Sequence, residues 1–388
     1  MPSERTADAV VIGGGIHGCA AALNLARQGV RTVVLEKDRV ARHASGVNAG
    51  GVRRLGRATA EVALSVAAAR LWRDMPALVD DDCGYVESRY LKVAFTEEAL
   101  EEAERRVAIL RQQGFAHEEV IGQDAVRRLL PAANPAILGA LHVAGDGAAQ
   151  PYRTTQAFRR RAEALGARIQ EASPVTGLTR RGTDWRVEMP GGALTAPILV
   201  NTAGAWGARI AALTGETIPL EAHAPMLAVT QPVAPFVDAV VGLLDGALSL
   251  KQYANGTVLL GGGVRGRAYP DENATELDLK GVGRFLSAAF RVFPHLRNAP
   301  INRLWAGIEG YTPDGLPVIG RGHAEGVVHA FGFSAHGFQL APAAGQVVAD
   351  LAMGCAPAID VTAFAPGRFT HTYHSIRQDS ANARAAAT

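Results

Sequence analysis

The residues best suited to chemistry stand at the front of the chain. In the run 10–37, VVIGGGIHGCAAALNLARQGVRTVVLEK, Gly13, Gly15 and Gly18 form G-x-G-x-x-G, and Glu36 follows 18 residues after the last of them. Each part has a mechanical use. Gly13 permits a tight turn off a β-branched strand, Gly15 lets the backbone approach a pyrophosphate, and Gly18 lets a helix pack close to the sheet. The N-terminus of that helix offers unpaired N–H groups and about half a positive charge to phosphates. Glu36, at the end of a second strand, can accept hydrogen bonds from an adenosine ribose. The glycines alone are a weak signal. With both strands, the helix and the acid in order, they predict a site for an adenine dinucleotide.

The elements that must position this site come from a chain of 388 residues, long for one core, so two domains are expected. Hydrophobic content of 48% supports large cores and 20% charged residues a soluble surface. A formal net charge of +2 is too small to argue for nucleic acid or an anionic membrane. The positive charge is almost all arginine; Lys37, Lys92, Lys251 and Lys280 are the only lysines. Cys19, Cys83 and Cys355 lie far apart, with no CxxC and no His–Cys zinc spacing, so neither a disulfide framework nor a metal is expected. MPSERTADAVVIGG runs straight into a strand and fits no signal peptide, and no apolar stretch reaches membrane-spanning length. A cytoplasmic location is the expectation.

Downstream, a glycine- and arginine-rich segment at 39–57 is placed beside the nucleotide as a loop and helix start. Helices are expected at about 61–75, at 96–114 with Thr96 as cap and Leu100, Ala103, Val107 and Leu110 as buried stripe, and at 150–166. Strands are expected at 85–95, 168–170, 185–189 and 196–201, the last opening into NTAGAW. Residues 216–303 read as alternating short strands, with an Asn255-Gly256 hairpin signal, and so as an antiparallel substrate domain. A strand at 327–330 enters FGFSAHGFQLAPAAG and a helix to Met353; the tail beyond Tyr373 is expected to fray.

In this order the fingerprint, the ASGVNAGG loop, the TAGAW turn, the YTPDGLPVIG turn and GFSAHGFQLAPAAG resemble the D-amino-acid-oxidase-like, FAD-dependent oxidoreductases. Glycine oxidase, sarcosine oxidase and proline dehydrogenase are relatives in that family. The resemblance spans nearly the whole chain. It implies an α/β fold: a Rossmann-like FAD-binding domain from 1–84, 146–215 and 304–370, and an α+β antiparallel-sheet substrate domain from 85–145 and 216–303. It places Gly13, Gly15, Ile16, His17, Gly18, Glu36 and Lys37 on the ADP half of FAD. His43, Ala44, Ser45, Asn48, Ala49, Gly50 and Gly51 line the stretch from pyrophosphate to flavin. Val175 resembles the residue whose backbone meets adenine, and Thr202, Ala203, Gly204 and Trp206 fall near the phosphates. Gly307, Gly332, Phe333, Ser334, His336, Gly337, Phe338 and Gln339 pass the isoalloxazine, with the following helix pointing its positive end at the pyrimidine. The implied reaction is oxidation of a C–N bond in a small amino or imino acid, a secondary amine or a D-amino acid. Hydride goes to flavin N5 and the resulting imine hydrolyses.

Three departures shape the site. Glu309 stands where D-amino-acid and glycine oxidases carry a carboxylate-binding arginine; it meets the substrate amine or pairs with a nearby arginine. Arg53, with Arg54 beside it, best matches the sarcosine-oxidase arginine, whose lysine partner is Gln339 here. Gly307 stands where sarcosine oxidase tethers its flavin through cysteine, so FAD is expected without a covalent bond. Leu259 stands for a lysine that assists oxygen, leaving oxygen or another acceptor open. Arg53, His336, Gln339 and Glu309 are the expected pocket residues. His17 is expected to begin a helix, Tyr253 and Tyr311 are candidates to close the pocket, and Asp314 to form a turn. Arg159, Arg160 and Arg161 read as a solvated helix face or a site for an acidic partner. A 2-hydroxy-acid or glycerol-phosphate dehydrogenase, or the flavin subunit of a larger complex, stays open. The oligomeric state is unassigned.

Overall fold

Strands with apolar residues on both faces need cover on both sides, which favours a parallel sheet between helices. Ala9–Ile12, Thr32–Leu35 and Val327–Phe331 are buried throughout their length in the structure, a computed structural model that describes residues 5–369. They belong to a six-stranded sheet ordered Val318–Arg321, Val327–Phe331, Ile198–Asn201, Ala9–Ile12, Thr32–Leu35 and Arg168–Gln170. All neighbours are parallel except the first pair. The chain leaves Ala9–Ile12 toward Thr32–Leu35 on one side, while Ile198–Asn201 returns on the other. Gly13 therefore sits at the switch point where such sheets open a crevice.

The helix Ile16–Arg27 is apolar nearly all round because it is covered on both sides. It packs on Gly337–Ala352 and Pro151–Ala164. A Cβ at Gly345 would stand 2.6 Å from Ala20 Cβ, so the two central helices touch at backbone range. A four-stranded sheet (Arg5–Thr6, Gly192–Ala196, Asp184–Met189, Gly177–Arg181) lies beside this layer.

A third, twelve-stranded sheet centres on Glu221–Thr230, which pairs with Val258–Gly261, Arg265–Tyr269, Ile301–Ala306 and Glu309–Tyr311. It is not wholly antiparallel as expected. Val240–Leu243 runs parallel to Val86–Ala94, because the chain travels through the other sheet between the two and returns by a long crossover. The expected strand-only region also contains the helix Leu279–Val292. Its Val282, Phe285, Ala289 and Val292 cover one sheet face around Ala228, Val241, Leu250 and Leu260.

Local differences have local causes. The expected helix at 61–75 breaks into Val62–Trp72 and Met75–Val79, with Pro76 in the second one's first turn. Thr96 Oγ1 accepts from Ala99 N–H at 3.3 Å and caps Glu97–Gln112; Ala103, Val107 and Leu110 are buried and Leu100 half-buried. The hairpin pairs Gln252 with Val258, so five residues rather than two close it. The tail expectation lies outside the described residues. No helix among those residues is long and apolar enough to cross a membrane.

Candidate functional site

A cavity of about 760 Å³ opens between the two large sheets. Its glycine end is built by close approach. Gly13 has φ +108°, and a Cβ there would meet Thr202 O at 2.5 Å. At Gly18 a Cβ would stand 1.9 Å from Gly13 O, so no side chain fits. Thr202 Oγ1 donates to Ile12 O and Gly13 O, each at 3.0 Å, and ties the two turns together. Ser45 Oγ accepts from Ile16 N–H at 2.9 Å. Glu36 accepts from Gly14 N–H (2.7 Å) and Asp38 N–H (2.8 Å); burial pushes its carboxyl pKa up and the two amides oppose this. Lys37 Nζ lies 3.9 Å from the Trp206 ring centre, and His43 Nε2 lies 2.7 Å from Asp38 Oδ2.

At the other end Val327–Phe331 runs into a loop where Gly332, Ser334 and Ala335 all take positive φ (69°, 50° and 69°) before the helix Gly337–Ala352. Two non-glycine residues in that region are strained unless the surroundings hold them. Ser334 Oγ bonds Thr312 N–H and Gly332 O, and Ala335 N–H donates to Glu309 Oε1 at 2.8 Å. Burial raises the Glu309 carboxyl pKa, opposed by the Ala335 amide. Phe333 stacks on His17 with ring centres 3.6 Å apart and 7° between planes. His336 Nδ1 lies 2.8 Å from Glu61 Oε2. Burial, then Arg57, brings the imidazole down to about 4. A neutral ring facing a carboxylate carries its proton on Nδ1, leaving Nε2 as an acceptor.

Three cations border the same space. Arg57 is 2% exposed; its Nε donates to Arg53 O (3.1 Å), its Nη2 to Gln339 Oε1 (3.2 Å), and Nη1 has no partner. Burial, then Arg53, lowers its pKa to about 9. Arg53 Nη1 donates to Leu55 O. Lys92, on Val86–Ala94, is lowered to about 8 by burial, then by Arg53 and Arg106. Among the described residues no carboxylate oxygen lies within 4.0 Å of any of the three cationic groups. The nearby acids are otherwise engaged: Glu118 with Arg106 (2.7 and 2.8 Å), Asp146 with Arg54 (2.8 Å), and Glu61 with His336. One buried and two half-buried cationic side chains thus share one part of the wall without a carboxylate partner.

The cavity brings together nearly all the residues singled out from sequence. Gly13, Gly15, Ile16, His17, Glu36, Lys37, the segment 43–51 apart from Gly46, Arg53, Val175, Thr202 to Trp206, Gly307, Glu309 and most of 332–339 border it. Gly18 and Ser334 do not; one serves helix packing, the other its loop. Gln339 borders the cavity, and its side chain accepts from Arg57 and Ser65 Oγ (3.0 Å) and donates to Ser65 O (2.8 Å), so it ties Arg57 to the helix Gly337–Ala352. Tyr253 and Tyr311 do not border the cavity; Tyr311 donates to Glu309 at 3.4 Å, and Tyr253 lies beside Lys251. Leu259 is also off the wall. Arg159, Arg160 and Arg161 each pair with acids of this chain, so that face is not an open basic patch. Asp314 Oδ1 accepts from Leu316 N–H and closes its turn.

Sequence reasoning missed Arg57, Lys92 and Glu61. Two had a visible signal: Arg57 follows Arg53 by four residues, and Lys92 interrupts an apolar strand between Leu91 and Val93. Gly307 leaves no room for a tethering side chain, since a Cβ would stand 2.4 Å from Val47 Cγ2. None of the cysteines borders the cavity.

Residues 8–351 match the model of DAO, described as FAD dependent oxidoreductase. Among curated proteins the chain is 27% identical over 390 residues to the mitochondrial sarcosine dehydrogenase of Mus musculus, covering 96% of this chain and 42% of that protein. It is 27% identical over 369 residues to the glycine oxidase of Geobacillus kaustophilus, covering 92% and 96%. Of solved structures, L-proline dehydrogenase from P. horikoshii aligns with a TM-score of 0.88 at 27% identity, over 95% of this chain and 99% of that one. The chain spans less than half the length of the sarcosine dehydrogenases it matches. The glycine cradle, the helix terminus beside it and the acid at Glu36 suit FAD, bound without a covalent link.

Proposed function

The chain belongs to the DAO family of FAD-dependent oxidoreductases, and from that premise we propose that it oxidises the C–N bond of a small amino or imino acid. The observation that carries this reading is the set of Arg53, Arg57 and Lys92 without acidic partners on the cavity wall. Arg57 is buried and Arg53 and Lys92 are half-buried; cations so placed without counter-charge are costly, and a substrate carboxylate relieves that cost.

In this reading the bare turn at Gly13 and Gly15 gives the pyrophosphate room against the start of the helix Ile16–Arg27, Glu36 meets the ribose, and Val175 the adenine side. The segment 332–338 flanks the flavin. The division of the chain at 85, 146, 216 and 304 belongs to the same proposal. FAD supplies the two-electron acceptor for the hydride leaving the carbon next to nitrogen. The protein must position that C–H bond and keep the amine neutral so that its lone pair is available. Arg53 and Arg57 anchor the carboxylate, and the same positive charges disfavour an ammonium nearby. His336 keeps its Nδ1 proton on Glu61 and presents Nε2 to the amine, while Glu309 borders the space with a carboxyl whose pKa is raised.

The test is anaerobic bleaching of the purified flavoprotein by N-methyl amino acids, prolines, D-amino acids, 2-hydroxy acids and glycerol phosphate. Bleaching by amines is expected. Bleaching by hydroxy acids or glycerol phosphate alone would overturn the reading, and no bleaching would point to a partner subunit. Colour recovery on admitting air, set against recovery with an added dye, separates oxygen from another acceptor. Arg53→Ala should raise the half-saturating substrate concentration at least ten-fold, as expected for a charge-assisted bond of about 1.5–3 kcal/mol, with the flavin spectrum retained.

A further inference from the structure

The cationic wall is larger than one carboxylate needs. Arg57 and Arg53 form one part of it, linked to each other and to Gln339 on the helix Gly337–Ala352. Lys92 belongs to the opposite element, the large sheet. There the register runs Lys92, Gly242, Ser249, Gly261 across four strands. Lys92 and Ser249 of this row border the cavity, while Gly242 between them is buried and adds no side chain. Tyr90, two residues along and on the same face, brings its hydroxyl to 3.3 Å from Ser249 Oγ. All three side chains border the cavity. Lys92 Nζ and Arg53 Nη1 lie 3.0 and 3.8 Å from the point where a Cβ on Gly56 would stand, so a bare glycine keeps the space between them open.

Resting on the C–N reading above, we propose that the substrate carries a second acidic group. It is a small amino or imino dicarboxylate, with one carboxylate on Arg53 and Arg57 and the other on Lys92 beside the Ser249 and Tyr90 hydroxyls. The charge count supports it. One carboxylate leaves two of three cations uncompensated, whereas two leave one, and Glu61, committed to His336, lies close enough to offset part of that. The Ser249 and Tyr90 hydroxyls bond each other, which leaves the pair one proton to give a carboxylate beside the ammonium.

The experiment compares matched pairs on the FAD-loaded protein: N-methylglycine against iminodiacetate, and D-alanine against D-aspartate. Non-reacting propionate and succinate are read by perturbation of the flavin absorbance. The dicarboxylate of a pair should bleach the flavin with at least ten-fold higher kcat/KM, and succinate should bind at least ten-fold more tightly than propionate. Lys92→Met should shrink both ratios by ten-fold or more with FAD retained, and Ser249→Ala should shrink them less. Equal efficiencies within the pairs would overturn the inference, as would a Lys92→Met protein that loses both members alike or releases its FAD. Should that variant fail to fold, the wild-type ratios and the succinate perturbation decide. Bleaching by monocarboxylate amines alone overturns the second acidic group and leaves the C–N reading standing. Bleaching by malate and by no amine does the reverse.

Discussion

His336 and Glu61 are charged or neutral only in relation to each other. Burial, then Arg57, holds the imidazole near 4, below its ordinary 6.5. Burial alone would raise the Glu61 carboxyl, but His336, Arg57 and Arg53 together hold it below its usual range. As pH falls from about 6.5 to about 4, the unfolded chain protonates this histidine while the folded chain does not. The stability it contributes is therefore complete above pH 6.5 and is lost across that window, on the order of 3 kcal/mol. His336→Gln should flatten that acid limb. Denaturant midpoints at pH 7.5 and 4.5 measure it, and equal pH slopes in wild type and variant would contradict the assignment. At this scale Arg53, His336 and Glu309 were legible because motif position points to them. Arg57 and Lys92 carried only a faint signal, in the spacing from Arg53 and in the break of an apolar strand, and basic residues are more often solvated than buried.

Among the elements, the loop 53–57 is held from outside the cavity. Asp146 is 1% exposed and accepts from Arg54 N–H (2.8 Å), Leu55 N–H (3.1 Å) and Arg54 Nε (2.8 Å). Removing it leaves the half-buried Arg54 guanidinium with the Ala144 carbonyl as its remaining partner and two amides unpaired. Asp146→Ala should lower stability by about 3–5 kcal/mol and raise KM several-fold, with little change in FAD content; unchanged kinetics would detach the loop from the site. Gly18→Ala acts at the other end. Its Cβ cannot coexist with Gly13 O, so the purified protein should be colourless; a normal flavin spectrum would contradict the cradle. The helix Glu97–Gln112 was readable from its cap and stripe. The helix Leu279–Val292 carried the right spacing too, but Gly281 and Gly283 and the strand-like stretches around it pointed the other way.

For the whole molecule, the cavity has walls from both large sheets: the glycine turns from one, Lys92, Ser249 and Leu227 from the other. A cofactor lying across both binds only the assembled fold and stabilises it by mass action. Stripping FAD should lower the melting temperature, and restoring it at a hundred times its Kd should return about 2.7 kcal/mol. A melting temperature indifferent to FAD would contradict a bridging cofactor.

Local physics made the cofactor end readable from sequence alone. A glycine turn, a helix start and an acid at the next strand end act within 28 consecutive residues, and each needs only its neighbours. The family resemblance rested on turns of the same kind. The substrate end depends on distant pairings. Gln339 is held by Ser65, 274 residues earlier, through two hydrogen bonds, and its Oε1 also accepts from Arg57. Lys92 faces the cavity because strand register sets it in a row with Gly242 and Ser249, and a one-residue slip would send it to the opposite face. Which cations reach the cavity was decided by register and long-range hydrogen bonding, and these exist only once the chain has folded.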